Sequence, residues 1–318
     1  MRVLVTRKIM EEALEIVRGA AEMEVWEEDC PMPRALLLEK VAEVDGLLCM
    51  LTDKIDEELL SHASTLKVVS TMAVGYDNID VKACMAHGVR VGNTPGVLTE
   101  TTADLTFALL LATARRVVES EHFLREGAWK TWSPTLLLGQ DIHHAKIGIV
   151  GMGRIGYEVA RRAYGFQMEI LYTGNRNHEQ AERDFGARRV SLETLLQESD
   201  FVSLHTPLNA QTRYLIGAKE LAQMKPTAML INTARGGVID TQALVEALRN
   251  RIIAAAGLDV FEVEPLSMES PLLTLDNVVL LPHIGSATTG TRTQMAVLAA
   301  KNLVAGIQGA PLLHEVTA

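Results

Sequence analysis

The sequence predicts an α/β protein with two doubly wound parallel-sheet domains, and three observations support this prediction. Short apolar runs alternate with helical patterns through residues 3–72, and a second alternating series starts at residue 147. Such alternation is typical of parallel strands covered by helices. The motif Gly151-Met152-Gly153-Arg154-Ile155-Gly156 follows the first apolar run of the second series. We therefore expect two Rossmann-like units in this chain of 318 residues.

The predicted elements follow the chain in order. Runs with the length of a strand are distinguished from longer patterns with helical period. In the first series, strands are expected at 3–6, 23–26, 46–51 and 66–72, and helices at 10–18, 36–44 and 56–62. In the second series, strands are expected at 147–150, 168–172, 201–204, 228–232, 254–258 and 278–281, and helices at 154–164 and 241–248.

Two further helical segments set the predicted domain boundaries. Residues 99–127 are expected to bridge the domains, and residues 286–308 are typical of one long helix that returns to the first domain. The predicted domains are residues 1–98, residues 99–284, and residues 285–318 as the returning helix. The bridging segment has an apolar stripe of helical period formed by Leu105, Ala108, Leu109, Ala112 and Val117.

Charge and hydropathy exclude two classes of partner. The net charge of −10 argues against nucleic acid, whose binding depends on lysine and arginine. The most apolar helical stretch, 103–114, is shorter than the ~20 residues that cross a bilayer, so no membrane contact is expected. Residues 1–6 lack the apolar core of a signal peptide, and we expect a cytoplasmic protein.

Cysteine and histidine spacing gives no sign of a disulfide framework or a metal site. Cys30, Cys49 and Cys84 are odd in number and widely spaced, so free thiols are expected. Cys49 lies in an apolar run and is predicted to be a core residue. The pair His143-His144 lacks metal-ligand spacing, and no metal is predicted.

The glycine motif indicates a bound nucleotide. In this spacing the three glycines allow a tight turn, close approach of the main chain to a diphosphate, and close packing of the following helix. A diphosphate would lie at the helix N-terminus, where N–H groups and the helix dipole favour anions. Three glycines alone recur by chance, but here a strand pattern precedes them and an amphipathic helix pattern follows.

The residues behind the predicted strand 168–172 favour NADPH over NADH. An acidic residue at this place binds the ribose 2′-hydroxyl of NAD, whereas arginine accommodates a 2′-phosphate. No acid occurs before Glu179, and Arg176 offers a guanidinium fork to phosphate oxygens. We expect NADPH as the preferred cofactor, with NADH possible, and cofactor contacts from Asn175, Arg176 and Asn177.

Polar and charged residues follow four strands of the second series, where open α/β sheets bind their ligands. Each segment alone is an ordinary loop, but together they place arginine, acid and histidine around one crevice beside the nucleotide motif. The segments are His205-Thr206-Pro207, Asn232-Thr233-Ala234-Arg235-Gly236-Gly237, residues 257–265 with Asp259, Glu262, Glu264 and Pro265, and Pro282-His283-Ile284-Gly285-Ser286.

With the glycine motif, these segments resemble the D-isomer-specific 2-hydroxyacid dehydrogenase family over nearly the whole chain. Residues 70–77, 94–104 and Trp129-Lys130-Thr131-Trp132 are most similar to its glyoxylate/hydroxypyruvate reductase branch. The resemblance implies a flavodoxin-like substrate domain and a larger Rossmann domain that close on a small 2-oxo acid. It also implies a homodimer that reduces glyoxylate to glycolate and hydroxypyruvate to D-glycerate.

The resemblance assigns three catalytic residues. Arg235 would bind the carboxylate and carbonyl of the 2-oxo acid, because a planar guanidinium matches a planar anion. His283 would be the general acid that protonates the carbonyl oxygen as hydride arrives. Glu264 would orient the imidazole and favour its protonated form. Glu262 competes for this role, and the Glu-Pro motif of the family, here Glu264-Pro265, favours Glu264.

The remaining contacts are carried over in the same way. Main-chain N–H groups of Val74 and Gly75 would bind the substrate carboxylate, Leu51 and Ser286 would line the pocket, and Trp132 would close the site of the neighbouring subunit. Asp240 is instead expected to cap a helix. The implied cofactor contacts are Gly153, Arg154 and Ile155 at the pyrophosphate, Thr206 and Pro207 at the adenosine, and Thr102, Thr233, Ala234 and Asp259 at the nicotinamide. Further expected cofactor contacts are Gly151, Gly156, Arg235, His283 and Gly285.

Other functions within this resemblance stay open. A reductase of a longer 2-oxo acid such as 2-ketogluconate stays open, because the sequence does not give the geometry of the loops that line the pocket. A phosphoglycerate dehydrogenase is disfavoured by the 129–132 segment and by the absence of a regulatory domain after residue 318. Glu264 disfavours a formate dehydrogenase, which resembles glutamine there. A nucleotide-sensing corepressor would keep the arginine, glutamate and histidine, but a disordered tail and the acid suited to NADH are absent.

Overall fold

A computed structural model describes residues 1–317, which form two compact units. The first unit contains Met1–Leu98 and the segment that starts at Ala287, whereas the second contains Thr99–Ser286. The division after Ser286 lies two residues beyond the predicted one.

The first unit is a six-stranded α/β sheet. Its order β13-β5-β4-β3-β1-β2 contains the flavodoxin-like order of five parallel strands, to which β13 is added antiparallel beside β5. The elements are β1 Arg2–Val5, α1 Glu11–Arg18, β2 Glu22–Val25, α2 Arg34–Val41, β3 Gly46–Cys49, α3 Glu57–His62, β4 Val68–Thr71, α4 Val81–Ala86, β5 Arg90–Gly92, α12 Thr289–Ile307 and β13 Glu315–Val316.

Helix α12 packs against the sheet of the first unit through small and apolar side chains. A Cβ on Gly46 of β3 would lie 2.7 Å from Cγ2 of Ile307, so glycine is needed for the helix to approach this strand. The buried Ser70 hydroxyl donates to the Ala299 carbonyl at 2.8 Å, and the Asn302 amide donates to the Asn93 carbonyl at 2.9 Å. These bonds satisfy polar groups that burial would otherwise penalise.

The second unit is a seven-stranded parallel sheet in the order β12-β11-β10-β9-β6-β7-β8, which contains the Rossmann strand order. The predicted fold class, two parallel α/β sheets, is confirmed. The elements are α5 Thr99–Ala114, α6 Val117–Arg125, β6 Lys146–Val150, α7 Arg154–Gly165, β7 Glu169–Thr173, α8 Glu179–Phe185, β8 Arg188–Arg189, α9 Leu192–Glu198, β9 Phe201–Leu204, α10 Ala218–Gln223, β10 Met229–Asn232, α11 Thr241–Arg249, β11 Ala255–Leu258 and β12 Val278–Leu280, with 3₁₀ turns at Gly236–Val238 and Pro271–Thr274.

The predicted apolar stripe of residues 99–127 is wrong in part. The segment forms two helices, α5 and α6, because Arg116 at their junction adopts a positive φ of 51°. Ala108 and Val117 are exposed, and the buried face of α5 instead includes Thr106 and Thr113. Their hydroxyls donate to carbonyls four residues earlier, which lets threonine replace an apolar residue at a buried position.

Other sequence expectations concern single residues and spans. Cys49 is buried, as predicted for a core residue, and burial raises the pKa of its thiol. Within residues 1–317, no cluster of three or more metal-ligating side chains occurs. None of the helices formed by these residues combines the length and apolar character needed to span a bilayer.

Candidate active site

The glycine motif forms a tight turn between β6 and α7. Gly151 has a φ of 100°, and a Cβ there would lie 2.7 Å from the His205 carbonyl oxygen. A Cβ on Gly156 would overlap the carbonyl oxygen of Gly151. A Cβ on Gly153 would meet no heavy atom within 4 Å, so this glycine leaves main chain open to a ligand. The three glycines thus form the tight turn predicted from their spacing, and a diphosphate at this turn stays a prediction.

The N-terminus of α7 follows this turn. Gly153 is the N-cap and provides no side-chain hydrogen bond, and the first turn contains no acidic residue. The N–H groups that begin the helix therefore offer partial positive charge to an anion. Arg154 is exposed and Ile155 is half-buried at the positions predicted to contact a pyrophosphate.

The loop after β7 contains the residues predicted to select the cofactor. The buried ring of Tyr172 anchors the loop, since its hydroxyl oxygen accepts a hydrogen bond of 2.8 Å from the His178 main-chain N–H. Asn177 accepts a hydrogen bond from Arg189 at 2.8 Å. Asn175 and Arg176 are exposed. Arg176 forms no ion pair or hydrogen bond within residues 1–317, so its charge is open to a ligand.

The segment behind β9 meets the glycine turn. Cγ2 of Thr206 would lie 3.0 Å from a Cβ on Gly151, and its buried hydroxyl has no hydrogen-bond partner within residues 1–317. Burial lowers the pKa of the adjacent His205 to about 3, so this imidazole is neutral near neutral pH. The Pro207 carbonyl accepts from Thr212 at 2.6 Å. Thr206 thus lies beside the glycine motif, and its contact with the cofactor stays a prediction.

Three adjacent strands deliver the predicted catalytic side chains to one edge of the second sheet. Arg235 follows β10, Glu264 lies in the segment after β11, and His283 follows β12. Because β10, β11 and β12 are neighbours and parallel, their carboxyl ends lie side by side. Residues up to 48 positions apart in sequence are brought together by this arrangement.

His283 and Glu264 form a hydrogen-bonded pair. Nδ1 of His283 lies 2.6 Å from Oε2 of Glu264, so the carboxylate fixes the proton on Nδ1 and leaves Nε2 directed elsewhere. Nε2 has no hydrogen-bond partner within residues 1–317. The main chain of His283 has a φ of 54°, and its N–H donates to the Asp259 carbonyl at 2.9 Å. The main chain of His283 thus has a left-handed conformation that is uncommon for a residue other than glycine, and it has this conformation at the residue whose imidazole bonds Glu264.

Glu264 is held as a carboxylate. Burial alone would raise its pKa, but the hydrogen bond and the charge of His283 together with the Phe261 N–H and Arg235 lower it below the ordinary value. The Phe261 N–H donates to Oε1 at 2.9 Å. Both carboxylate oxygens are thus bonded, and the carboxylate orients the imidazole as the sequence analysis expects of Glu264.

Glu262, the other acid in this segment, has a separate structural role. Its Oε1 accepts from the Thr241 N–H at 2.8 Å, and its Oε2 accepts from the Tyr214 hydroxyl at 3.2 Å. Asp240 caps the same helix, α11, by accepting from the Ala243 N–H, which confirms the predicted cap. The Glu262 carboxylate therefore bonds the N-terminus of α11 and does not contact His283.

Arg235 is positioned by the turn behind β10. Asn232 accepts from the Ala234 N–H at 3.0 Å and donates to the Arg235 carbonyl at 2.9 Å, which closes a compact turn. Nη1 of Arg235 donates to the Ala234 carbonyl at 2.8 Å. The next residue, Gly236, packs directly on the Phe261 main chain.

A cluster of buried hydroxyl and carboxyl groups lies behind this edge. Asp259 accepts from the Ile284 N–H at 2.8 Å, and burial raises the pKa of this carboxyl. A Cβ on Gly285 would lie 3.3 Å from Oδ2 of Asp259 and 3.5 Å from Cγ2 of Thr102. Thr233 bonds to Thr106 at 2.7 Å, and Thr106 bonds to the Thr102 carbonyl, so four predicted cofactor contacts are close together. Thr106 was not among the predicted residues of this cluster, although it lies four residues after Thr102 and so on the same face of α5.

The remaining predicted substrate contacts lie outside this cluster and stay predictions. Leu51, Val74 and Gly75 belong to the first unit and are half-buried. The main-chain N–H groups of Val74 and Gly75 donate no hydrogen bond within residues 1–317, which suits an anion-binding role. Ser286 is half-buried at the end of the second unit, and Trp132 is 76% exposed.

Comparison with known proteins places this site in a family. Residues 107–285 match the family described as D-isomer specific 2-hydroxyacid dehydrogenase, NAD binding domain. Glyoxylate reductase of Thermococcus litoralis is 52% identical over 312 residues, which cover 97% of this chain and 94% of that protein. A solved structure from Thermus thermophilus has a TM-score of 0.93 at 47% identity and covers all of both chains.

A further solved structure is that of the NADPH-dependent glyoxylate/hydroxypyruvate reductase of Sinorhizobium meliloti in complex with NADP and malonate. It is 35% identical with a TM-score of 0.87, and the match covers 99% of this chain and 96% of that one. The fold and the site together define a nicotinamide-dinucleotide oxidoreductase. This chain belongs to the D-isomer specific 2-hydroxyacid dehydrogenase family, in its glyoxylate reductase branch.

Proposed function

We propose that this protein is an NADPH-dependent reductase of small 2-oxo acids, which converts glyoxylate to glycolate and hydroxypyruvate to D-glycerate. The observation that carries the proposal is the His283–Glu264 pair, 2.6 Å apart, at the same sheet edge as Arg235. The glyoxylate reductases at about half identity support the substrate class. The NADP-bound relative from Sinorhizobium meliloti supports the cofactor.

The residues of the second unit fit a nicotinamide dinucleotide. Gly153 presents bare main chain at the start of α7, and Arg176 presents an uncompensated guanidinium in the loop after β7. We infer that the first holds the pyrophosphate and the second the ribose 2′-phosphate. When bound, the reduced nicotinamide supplies the hydride that adds to the carbonyl carbon of the 2-oxo acid.

His283 provides the proton of the reaction. With Nδ1 bonded to Glu264, Nε2 of the protonated imidazole donates to the carbonyl oxygen, which becomes the hydroxyl of the product. One hydride on carbon and one proton on oxygen complete the reduction. The ionised Glu264 stabilises the cationic imidazolium before transfer and keeps the ring in one orientation.

Arg235 binds the substrate carboxylate and lies close to the developing negative charge on the carbonyl oxygen. A guanidinium offers two parallel N–H donors to a carboxylate, which fixes the orientation of the 2-oxo acid. Its turn is closed by Asn232, so the side chain starts from a rigid main chain. Orientation of this kind lowers the entropic part of the activation barrier.

Initial rates with two cofactors and four acids test the proposal. We expect turnover of glyoxylate and hydroxypyruvate with NADPH, and a kcat/KM for NADPH at least about tenfold above that for NADH, because Arg176 has a charge that only a 2′-phosphate uses. The other acids are 2-ketogluconate and 3-phosphohydroxypyruvate. A preference for either of these would contradict the substrate assignment, and equal rates with NADH would contradict the cofactor assignment.

We also propose that the protein is a homodimer joined through α6 and the segment behind it. Helix α6 has no buried residue, and large apolar side chains are exposed over residues 117–138. Patches of this kind mark association surfaces. A second copy is the natural occupant, and Trp132 would lie in its interface. The exposed side chains are Val117, Val118, Leu124, Trp129, Trp132, Leu136 and Leu138.

Sedimentation velocity of a charge variant tests the dimer. Wild-type protein is expected at twice the chain mass of 34.8 kDa. Leu124→Glu with Leu138→Glu is expected to give monomers, because buried unpaired carboxylates oppose association. Met85→Glu changes an equally exposed residue of the first unit and should leave the mass unchanged. A monomeric wild type, or a dimeric double variant, would contradict the proposal.

A further inference from the structure

Arg189 lies on the edge strand β8 and donates hydrogen bonds to the loop that follows β7. The register pairs Tyr172 with Arg189, so the side chain is beside the strand that leads into the loop. Its Nη2 donates to the Gly174 carbonyl at 2.7 Å, and its Nη1 donates to Oδ1 of Asn177 at 2.8 Å. One guanidinium therefore bonds residues on both sides of Arg176.

The charge of Arg189 is not neutralised by these bonds. Both acceptors are uncharged, and Arg189 forms no ion pair within residues 1–317. Its neighbour Arg188 differs, because it pairs with Glu198 at 3.3 Å and with Glu169 at 3.5 Å. The loop and the adjacent β8 thus carry two uncompensated guanidinium groups, those of Arg176 and Arg189, in a chain whose net charge is −10.

A cavity of about 740 Å³ adjoins the loop and is lined by Asn177 and Arg189. Glu182 is the one acid that lines it, and its carboxylate accepts a hydrogen bond from the Tyr172 hydroxyl. Arg188 and Arg189 line the cavity as well, so its lining holds two guanidinium groups and one carboxylate. The balance favours an anionic group such as a phosphate. The remaining lining residues are Thr173, Ala187, Val190 and Ser191.

We propose that Arg189 is a positioning residue for recognition of the ribose 2′-phosphate. It fixes the main chain on both sides of Arg176, so that the Arg176 side chain starts from a defined position, and it adds positive charge beside it. Phosphate oxygens then meet a pre-ordered loop, which reduces the entropy lost on binding. The proposal rests on the NADPH preference proposed above.

Calorimetric titration with two nucleotide fragments tests the proposal without any turnover. Adenosine 2′,5′-bisphosphate carries the 2′-phosphate, and 5′-AMP lacks it. For Arg189→Ala, the Kd of the bisphosphate is expected to rise about tenfold, whereas that of 5′-AMP stays within about twofold, because only the 2′-phosphate uses the ordered loop. Arg189→Lys should recover part of the loss, since it keeps the charge without the fork.

Arg188→Ala is the matched control, because Arg188 is the neighbouring arginine, its charge is paired with Glu198 and Glu169, and its hydrogen bond goes to Glu198 and not to the loop. It is expected to leave both Kd values within about twofold of wild type. Equal weakening of both fragments by Arg189→Ala would mean a general structural role and would overturn the proposal. An unchanged bisphosphate Kd would also overturn it.

Arg176→Ala separates this proposal from the proposed function. If wild type binds both fragments equally and Arg176→Ala changes neither, the NADPH preference itself fails, and the role of Arg189 fails with it. If Arg176→Ala weakens only the bisphosphate while Arg189→Ala does not, the cofactor preference stands and the role of Arg189 alone is rejected.

Discussion

Replacement of His283 by alanine is expected to lower kcat by about 10³-fold, because a positioned general acid contributes roughly 10²–10⁴-fold to such a reaction. The side chain is half-buried and its Nδ1 bonds only to Glu264, so the fold should survive its removal. The measurements are steady-state kcat with NADPH and glyoxylate, circular dichroism, and Kd for NADPH. The Kd is expected to stay within about fivefold of wild type, since the proton matters in the transition state.

His143→Ala provides the control, because His143 is an exposed histidine of the same unit. It should leave kcat unchanged. A paired comparison of Glu264→Gln with Glu262→Gln extends the test to the acids. Only Glu264 contacts the imidazole, whereas Glu262 bonds to the start of α11. A near-normal kcat in His283→Ala would reject the assigned mechanism.

Gly236→Ala is expected to lower kcat by about 10²-fold or more, since displacement of a catalytic group by about 1 Å has an effect of this size. A Cβ at this position would overlap the main-chain carbon and oxygen of Phe261 and the nitrogen of Glu262. Main chain cannot rotate away as a side chain can. The methyl group must separate Arg235, one residue before it, from the segment that holds Glu264.

The free energy of unfolding of Gly236→Ala should also fall, by about 1–3 kcal/mol, which is the usual cost of overpacking. Thermal unfolding and kcat are measured together. Gly165→Ala is the matched control, because a Cβ on Gly165 meets no atom within 4 Å and the residue lies in helix α7. That variant should keep full activity and equal or higher stability. Full activity in Gly236→Ala would contradict the prediction, because it would show that catalysis does not need the contact between Gly236 and the main chain of Phe261.

The sequence predicted those parts of the site that are encoded locally. A glycine turn between a strand and a helix is visible in six adjacent residues, and the turn at 151–156 has the predicted form. The strands of four or five residues were also predicted from the sequence. Strands β5, β8 and β13 were missed, because two or three residues show no period and their pairing partners lie elsewhere in the chain.

Contacts between distant residues could not be predicted in this way. Arg189 acts on Gly174 and Asn177 only because β8 pairs with β7. Thr106 appeared polar in sequence, yet it is buried because its hydroxyl bonds to its own helix. Glu262 and Glu264 were separated only by a family motif, whereas the structure gives the physical reason in the bonds of each carboxylate.

The return of α12 to the first sheet has a consequence for how the protein is made. Residues 1–98 leave the ribosome roughly 190 residues before α12, which covers Gly46 and receives the hydrogen bond of Ser70. At about 5–20 residues per second, this interval is on the order of 10–40 s. Meanwhile the contiguous second unit can complete its sheet. During synthesis, the first sheet therefore waits with an uncovered apolar face, which is open to association with other chains until α12 arrives.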